Sequence, residues 1–127
     1  MHIEITSFGH LHGPAPTAHL TLDVRAHFRD PHRDTAVRHL TARHPTVQDK
    51  VAGTPGIPQL LDATVAAAQA FAAGPAAHAV PLTIAVGCAG GKHRAGYLAD
   101  QLRHRLAALG HAVHVTHRDI DKAVVER

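Results

Sequence analysis

Residues 82–97, LTIAVGCAGGKHRAGY, decide the fold class of this chain. Leu82, Ile84 and Val86 with their neighbours form a short, largely apolar run, as expected of a strand covered on both faces in an α/β sheet. A glycine-rich turn follows this strand, and a basic segment then begins a helix. A strand, a tight turn and a helix in this order predict an α/β domain with a mainly parallel sheet.

The turn within this stretch is typical of an anion-binding loop. The three glycines in residues 87–91 can adopt backbone angles closed to other residues, so that successive N–H groups converge on one anion. Lys92, His93 and Arg94 lie where the helix begins, and there the unpaired amides and the helix dipole favour negative charge. The predicted ligand is a phosphate.

Two other interpretations of the loop follow from its residues. The first is a plain tight turn whose basic side chains are solvated. The second is a Walker-type nucleotide loop, which requires four residues between its first glycine and its Gly-Lys, and Ser or Thr after the lysine. His93 follows Lys92 here, so the hydroxyl that would hold magnesium is missing. The sequence therefore excludes the Walker loop.

Cysteine-dependent phosphatase chemistry is the third interpretation. Cys88 and Arg94 bracket five residues, as in the Cys-x5-Arg loop of protein tyrosine phosphatases. A thiolate at a helix N-terminus with basic neighbours has a lowered pKa and can attack phosphorus. Ala95 stands where that family places Ser or Thr, and Gly87 stands where it usually places His. The spacing fits this chemistry better than the flanking residues do.

Several separated motifs resemble one known domain in the same order along the chain. They are ITSFGHLHG, LTLDVR and DPHRD in the first third, then GCAGGKHRAGYLADQL, and finally HRD. Together they cover residues 3–119 and are similar to the C-terminal domain of the RapZ family of RNase adapter proteins. The resemblance implies an α/β fold, similar to part of phosphofructokinase, that senses glucosamine-6-phosphate. It also implies surfaces for RNA binding and self-association.

The resemblance further implies the residues of a sugar-phosphate pocket. It places Cys88 and Arg94 in that pocket with Asp23 facing them, and it adds His12 and His32 as basic members. The predicted ligand-binding set is Asp23, His32, Cys88, Ala89, Gly90, Gly91, Lys92, His93, Arg94 and His12. Ala89 replaces the threonine usual in the family, which removes one hydroxyl contact.

Elementary chemistry supports such a site without the family. A guanidinium such as that of Arg94 can hold phosphate oxygens through two parallel hydrogen bonds. The carboxylate of Asp23 suits the far end of the ligand, because it accepts from sugar hydroxyls and attracts the 2-ammonium of glucosamine. A structural salt bridge between Asp23 and Arg25 is the alternative, since strand neighbours two residues apart share one face.

Composition limits the class of protein. The 127 residues predict one domain, 1–127, and the single cysteine cannot form an internal disulfide. The net charge of +3 and the 14 histidines favour phosphorylated or polyanionic partners. With so few aromatic residues, any RNA contact is expected to be to phosphates and shape. No secretory signal or apolar stretch of about 20 residues is present, so the cytoplasm is the expected location.

Neither a metal nor a cofactor is predicted. The pairs His10-x-His12 and His114-x-x-His117 have no neighbouring carboxylate or cysteine ligands of the kind found in a dedicated metal site. They are better interpreted as solvated histidines than as metal ligands. His117 and Arg118 follow the last predicted strand, so they either complete the site or belong to a solvated chain end.

Hydrophobic periodicity and turn residues predict the order of elements. Strands are expected at 2–8, 20–25, 82–87 and 112–116, short helical turns at 35–40 and 47–51, and helices at 57–71 and from about 92 to 110. Leu98, Leu102, Leu106 and Leu109 form one apolar stripe of the last helix. The prediction is a three-layer α/β domain with a sheet of four or five strands, and with ligands beyond the carboxyl ends of the strands.

These observations favour a ligand-sensing module, not an enzyme, that binds an amino-sugar phosphate and signals through RNA or a regulated protein as a homo-oligomer. The rival function is a phosphatase with Cys88 as nucleophile, Arg94 as phosphate clamp and Asp23 or Asp34 as general acid. A third alternative is an oligomerisation module whose pocket is vestigial.

Overall fold

The computed structural model describes residues 1–126, and Arg127, the last residue of the predicted domain, lies outside the described residues. Its strands are β1 His2–Gly9, β2 Leu20–Asp23, β3 Leu82–Cys88 and β4 Ala112–His117. All pairs are parallel, in the order β2-β3-β1-β4. The predicted α/β class with a mainly parallel sheet of four or five strands is confirmed.

Three α-helices connect the strands: α1 Pro45–Ala52, α2 Ile57–Ala72 and α3 Arg94–Ala108. Single 3-10 turns form at His10–His12 and Pro31–Arg33. The helix predicted at 57–71 is confirmed. The short helical turn predicted at 47–51 lies within the longer helix α1, and the one predicted at 35–40 is present as hydrogen-bonded turns over residues 35–39. None of the helices within residues 1–126 is long and apolar enough to cross a membrane.

The second strand ends at Asp23, two residues earlier than predicted. The amide of Arg25 donates to the Asp23 carboxylate at 3.1 Å, so the chain turns there. The carbonyls of Val24 and Arg25 accept from the guanidinium of Arg94 instead of from a neighbouring strand. A side chain of α3 thus fixes the end of β2.

The core lies between the sheet and the helices, and it contains buried residues of α1, α2 and α3. Ile3 and Ile5 of β1 are buried and alternate with exposed His2 and Glu4, as the period of a strand requires. Three leucines of the predicted stripe, Leu98, Leu102 and Leu106, are fully buried in the same core cluster.

The fourth leucine of the stripe departs from the prediction. Leu109 is 51% exposed because the helix has already ended at Ala108. Gly110 adopts φ +94°, and the amide of His111 bonds back to the carbonyl of Leu106 at 3.2 Å. This is the Schellman arrangement that commonly ends helices.

Candidate functional site

Glycines bring together the loops that follow β1 and β3. Gly9 pairs with Cys88 in the sheet, so the two strands end side by side. A Cβ atom on Gly9 would lie 2.4 Å from the backbone carbon of Gly90, and one on Gly91 would lie 2.8 Å from the nitrogen of Gly9. Gly91 also has φ +77°, a conformation that favours glycine. The two loops are therefore in direct backbone contact.

A small cavity, here called the carboxyl-edge cavity, lies beside these loops. About 10 Å³ of space is free inside it. That is room for roughly one water molecule. Its lining combines three loops with the C-terminal segment: His12, Asp30, His32, Arg38, Cys88, Gly90, Lys92, His93, Arg94, Ala123, Val124 and Val125. Seven of the ten predicted ligand-binding residues line this one cavity.

Arg94 is the most deeply buried basic side chain at this edge, with 2% of the side chain exposed. Its Nη1 donates to the carbonyls of Val24, Arg25 and Phe28 at 3.0–3.1 Å. Its Nη2 pairs with Asp30 Oδ2 at 3.2 Å. Both terminal nitrogens of Arg94 thus bind the loop after β2, and Arg94 is in the first place a structural cross-link.

Two buried nitrogen atoms among the lining residues have no hydrogen-bond partner within residues 1–126. They are Nε of Arg94 and Nε2 of His12. Leaving a buried polar group unpaired costs free energy, more so for a charged group. Helix α3 begins at Arg94, and no described side chain caps it. Its first amides thus add further unused donors at the same edge.

His93 enters the cavity wall as a neutral side chain. Its Nε2 lies 2.8 Å from the carbonyl of Leu40 and 3.1 Å from that of Val37. Because carbonyls only accept, this network assigns the proton to Nε2 and leaves Nδ1 as an acceptor. Burial lowers the pKa of His93 below its ordinary value. His93 can therefore accept from a ligand but does not supply positive charge at neutral pH.

Lys92 and Cys88 complete the loop side of the cavity. The Lys92 ammonium donates to the carbonyl of Ile120 at 3.1 Å, a bond that uses one of its three donors. The Cys88 thiol is 2% exposed, and its sulfur accepts from the Gly91 amide at 3.2 Å. Lys92 is therefore the loop cation with donors to spare.

Asp23 is not brought to this cavity. It binds Arg25 through two side-chain hydrogen bonds, of 3.0 and 2.7 Å, which is the structural salt bridge that the sequence left as the alternative. Arg25 thereby holds the pKa of the Asp23 carboxyl well below its usual range. Ala89 and Gly91 belong to the loop but do not line the cavity either. Asp30, which sequence reasoning did not select, is the carboxylate that does.

Asp119, within the HRD segment, is a second acidic residue that the site prediction missed. It is fully buried and accepts from the amide of Gly9 at 2.8 Å. Burial would raise its pKa, but hydrogen bonds from Arg118, Gly9 and Lys122 lower the pKa of Asp119 to about 2. Its ionised carboxylate ties the end of β1 to the segment after β4.

The remaining predicted histidine and arginine sites have structural partners. His117 bridges Ser7 Oγ at 2.6 Å and Asp100 Oδ1 at 3.0 Å, so both ring nitrogens are used. Arg118 lies 5.2 Å above the Phe8 ring and donates to the carbonyl of Pro14 at 2.6 Å. Neither residue lines the cavity, and neither belongs to a solvated chain end.

Comparison with known proteins gives one family. A family profile described as the RapZ C-terminal domain matches residues 1–121. A nucleotide-binding protein of Frankia casuarinae is 40% identical over 123 residues, which cover 96% of this chain and 42% of the relative. Nucleotide-binding proteins of Frankia alni and Rhodospirillum rubrum are 38% and 36% identical. The chain covers 42% and 37% of their respective lengths.

Proposed function

Because the chain belongs to the RapZ C-terminal domain family, we propose that it is a ligand-sensing module that binds an amino-sugar phosphate, glucosamine-6-phosphate, in the carboxyl-edge cavity. The observation that carries the proposal is the convergence of unpaired buried nitrogen atoms there. Arg94 Nε and His12 Nε2 are buried without a partner in residues 1–126, beside the uncapped start of α3. A dianionic phosphate would supply the acceptors that these groups need.

Lys92 is the mobile cation of the proposed phosphate site. It can exchange its single bond to the Ile120 carbonyl for a phosphate oxygen without disturbing the core. Arg94 contributes its charge and Nε, because its other nitrogens remain on backbone carbonyls and Asp30. The phosphate is thus bound by one flexible and one fixed cation.

The amino end of the sugar is assigned to acceptors of the same cavity. Asp30, with 20% of its side chain exposed, lines the cavity and carries the negative charge that an ammonium requires. Neutral His93 offers an acceptor nitrogen to a sugar hydroxyl. We therefore assign to Asp30 the role that the sequence gave to Asp23.

The regulated partner belongs to the proposal as well. Occupancy would be passed to RNA or to a protein, by a homo-oligomer in the cytoplasm. The relatives are named nucleotide-binding proteins, and this chain spans about two fifths of their length. The Lys92-His93 pair lacks the hydroxyl of a Walker loop, so we do not assign nucleotide binding to this segment.

The phosphatase alternative has less support from the geometry. A bidentate phosphate clamp needs two parallel N–H donors of Arg94, and both terminal nitrogens already bind the loop after β2, which leaves Nε alone. A general acid must be protonated near neutral pH. The pKa values of Asp23 and Asp34 are instead lowered by Arg25 and Lys50. Hydrolysis of an aryl phosphate that disappears in Cys88→Ser would restore this alternative.

Calorimetric titration with glucosamine-6-phosphate tests the proposal, with glucosamine and inorganic phosphate as controls. Lys92→Gln should weaken binding by about 10- to 100-fold, since a hydrogen bond to a charged group contributes about 1.5–3 kcal/mol. The matched control is Lys50→Gln, because Lys50 pairs with Asp34 outside the cavity. Absence of binding, or equal losses in both variants, would contradict the assignment.

A further inference from the structure

We propose that residues 120–126 form a displaceable strap over the carboxyl-edge cavity, and that a ligand binds only after the outer part of this strap has left. The identity of the ligand rests on the proposed function, but the strap itself does not. It would make the C-terminal segment the part of the molecule that moves when the site is filled.

Size is the first argument. Ala123, Val124 and Val125 are part of the cavity wall, which also includes Cys88 and His93. With that wall in place about 10 Å³ is free, which accommodates roughly one water molecule. A sugar phosphate is many times larger, so this conformation is closed to it.

The strap is anchored firmly at its base. Ile120 is 1% exposed, and the preceding residue, Asp119, is fully buried against the amide of Gly9. Lys122 returns to Asp119 through its ammonium at 2.6 Å and its amide at 3.1 Å. Displacement of the base would unfold part of the core.

The outer part is held differently. Within residues 1–126, the backbone of 123–126 makes no hydrogen bond, and Val124 and Val125 are only half-buried. Val124 and Val125 line the cavity, and the partial burial of these apolar side chains is what keeps this part in place. Segments with few buried contacts open at low free energy while the rest of the fold stays intact. The hinge is therefore placed at Lys122 and Ala123.

Lys92 couples the strap to the proposed phosphate site. Its ammonium donates to the carbonyl of Ile120 in the anchored base, so the base of the strap adjoins that site and stays in place when the outer part leaves. A ligand that binds only the open state shifts the population toward that state, and the closed fraction lowers the apparent affinity in proportion.

The single cysteine reports this opening without any ligand. Cys88 is 2% exposed and lines the cavity, so a thiol-specific aromatic disulfide should label it slowly. In the full chain, Val124→Ser with Val125→Ser should speed labelling by about tenfold, since it removes apolar contacts that close the strap. Val124→Ala alone should also speed labelling, with a smaller effect.

Val80→Ser is the matched control, because Val80 is 51% exposed at the opposite edge of the sheet. The labelling rate of Cys88 in this variant should stay within about twofold of the native rate.

Thermal melts of all variants, followed by circular dichroism, show whether the fold is retained. A labelling rate in the folded double variant within about twofold of the native rate would overturn the strap. Calorimetry separates this result from failure of the proposed function. Faster labelling with no glucosamine-6-phosphate binding in any variant keeps the strap and removes the ligand. A labelling rate equal to the native rate, together with native binding, removes the strap and keeps the ligand assignment. Tighter binding in the double variant supports both the strap and the ligand assignment.

Discussion

The two edges of the sheet carry opposite kinds of cavity. At the amino edge, where the parallel strands begin, an open groove of about 540 Å³ is lined almost wholly by apolar residues. This amino-edge groove consists of Met1, His19, Ala70, Phe71, Gly74, Pro75, Ala76, Ala77, Val80, Pro81 and Leu82. At the carboxyl edge the free space is about 10 Å³, and charged side chains surround it.

The difference shows that the cavity with more free volume is not the one whose side chains can bind a polar ligand. The groove has room for a ligand but offers few donors or acceptors to recognise a polar one. The carboxyl-edge cavity holds a buried guanidinium, a buried neutral imidazole and an ammonium, and residues of the proposed strap restrict its volume. Substitutions at the two edges of the sheet should therefore differ in their effects on the free energy of unfolding and on ligand binding.

The largest effect is expected from Arg94→Ala. This change removes four interactions of a side chain that is 2% exposed and leaves Asp30 and three backbone carbonyls without their donor. Breaking a buried pair in this way costs about 3–5 kcal/mol. Urea denaturation should show a free energy of unfolding lowered by that amount.

The control for Arg94→Ala is Arg103→Ala on the exposed side of the same helix. It should change the free energy of unfolding by no more than about 0.5 kcal/mol. Equal losses in the free energy of unfolding of the two variants would show that Arg94 is not a structural cross-link at the carboxyl edge.

Gly9→Ala should have the next largest effect. The added methyl group would lie 2.4 Å from the backbone carbon of Gly90 and 2.7 Å from the nitrogen of Gly91, so the anion loop must move. Overpacking of this kind costs about 1–3 kcal/mol. Both the free energy of unfolding and calorimetric binding should fall together.

Gly53→Ala supplies the comparison for Gly9. Gly53 has ordinary helical angles at the end of α1, and its added methyl group would lie 3.3 Å from the carbonyl of Asp49. A change below about 1 kcal/mol is expected. If Gly9→Ala were tolerated equally well, close contact between the two loops would not be what shapes the site.

Much of the fold follows from local pattern. The apolar run of β3, the alternation in β1 and the helical spacing of α2 predicted elements that the structure confirms. Errors arose where side chains bind distant backbone. The end of β2 is set by Arg94, some 70 residues away in sequence, and no propensity of residues 20–25 reveals that contact.

The sequence selected residues that the structure brings together, but it did not select which of them pair with one another. Spacing and resemblance selected Cys88, Lys92 and His93 for the pocket, and all three line one cavity. Which carboxylate accompanies them depends on which pairs with an arginine elsewhere, and Asp23 does so with Arg25. The covering segment was not found, because half-buried valines in an irregular tail carry no periodic signal.

A smaller effect is expected from the pH dependence of stability through His93. Burial lowers the pKa of His93 in the folded protein, so the unfolded chain binds its proton first as the pH falls. The stability is therefore complete above about pH 6.5, the unperturbed histidine pKa, and is lost below it at up to about 1.4 kcal/mol per pH unit.

The measurement for His93 is the urea midpoint between pH 7.5 and 5, compared between the native protein and His93→Gln. Glutamine keeps a donor for the Leu40 carbonyl but does not titrate. The pKa values of His10 and His111 are also lowered by burial, and their contributions cancel in this comparison. Identical pH profiles for the two proteins would mean that His93 is not held neutral at the carboxyl edge.

The smallest effect belongs to the amino edge. Val80 is 51% exposed in the amino-edge groove, so Val80→Ser should change the free energy of unfolding by no more than about 0.5 kcal/mol. Calorimetric binding of glucosamine-6-phosphate should be unaltered, because no group of the carboxyl-edge cavity is touched. A loss of binding in Val80→Ser alongside normal binding in Lys92→Gln would transfer the site to the larger groove, and donor chemistry would then be the wrong guide to where this protein binds its ligand.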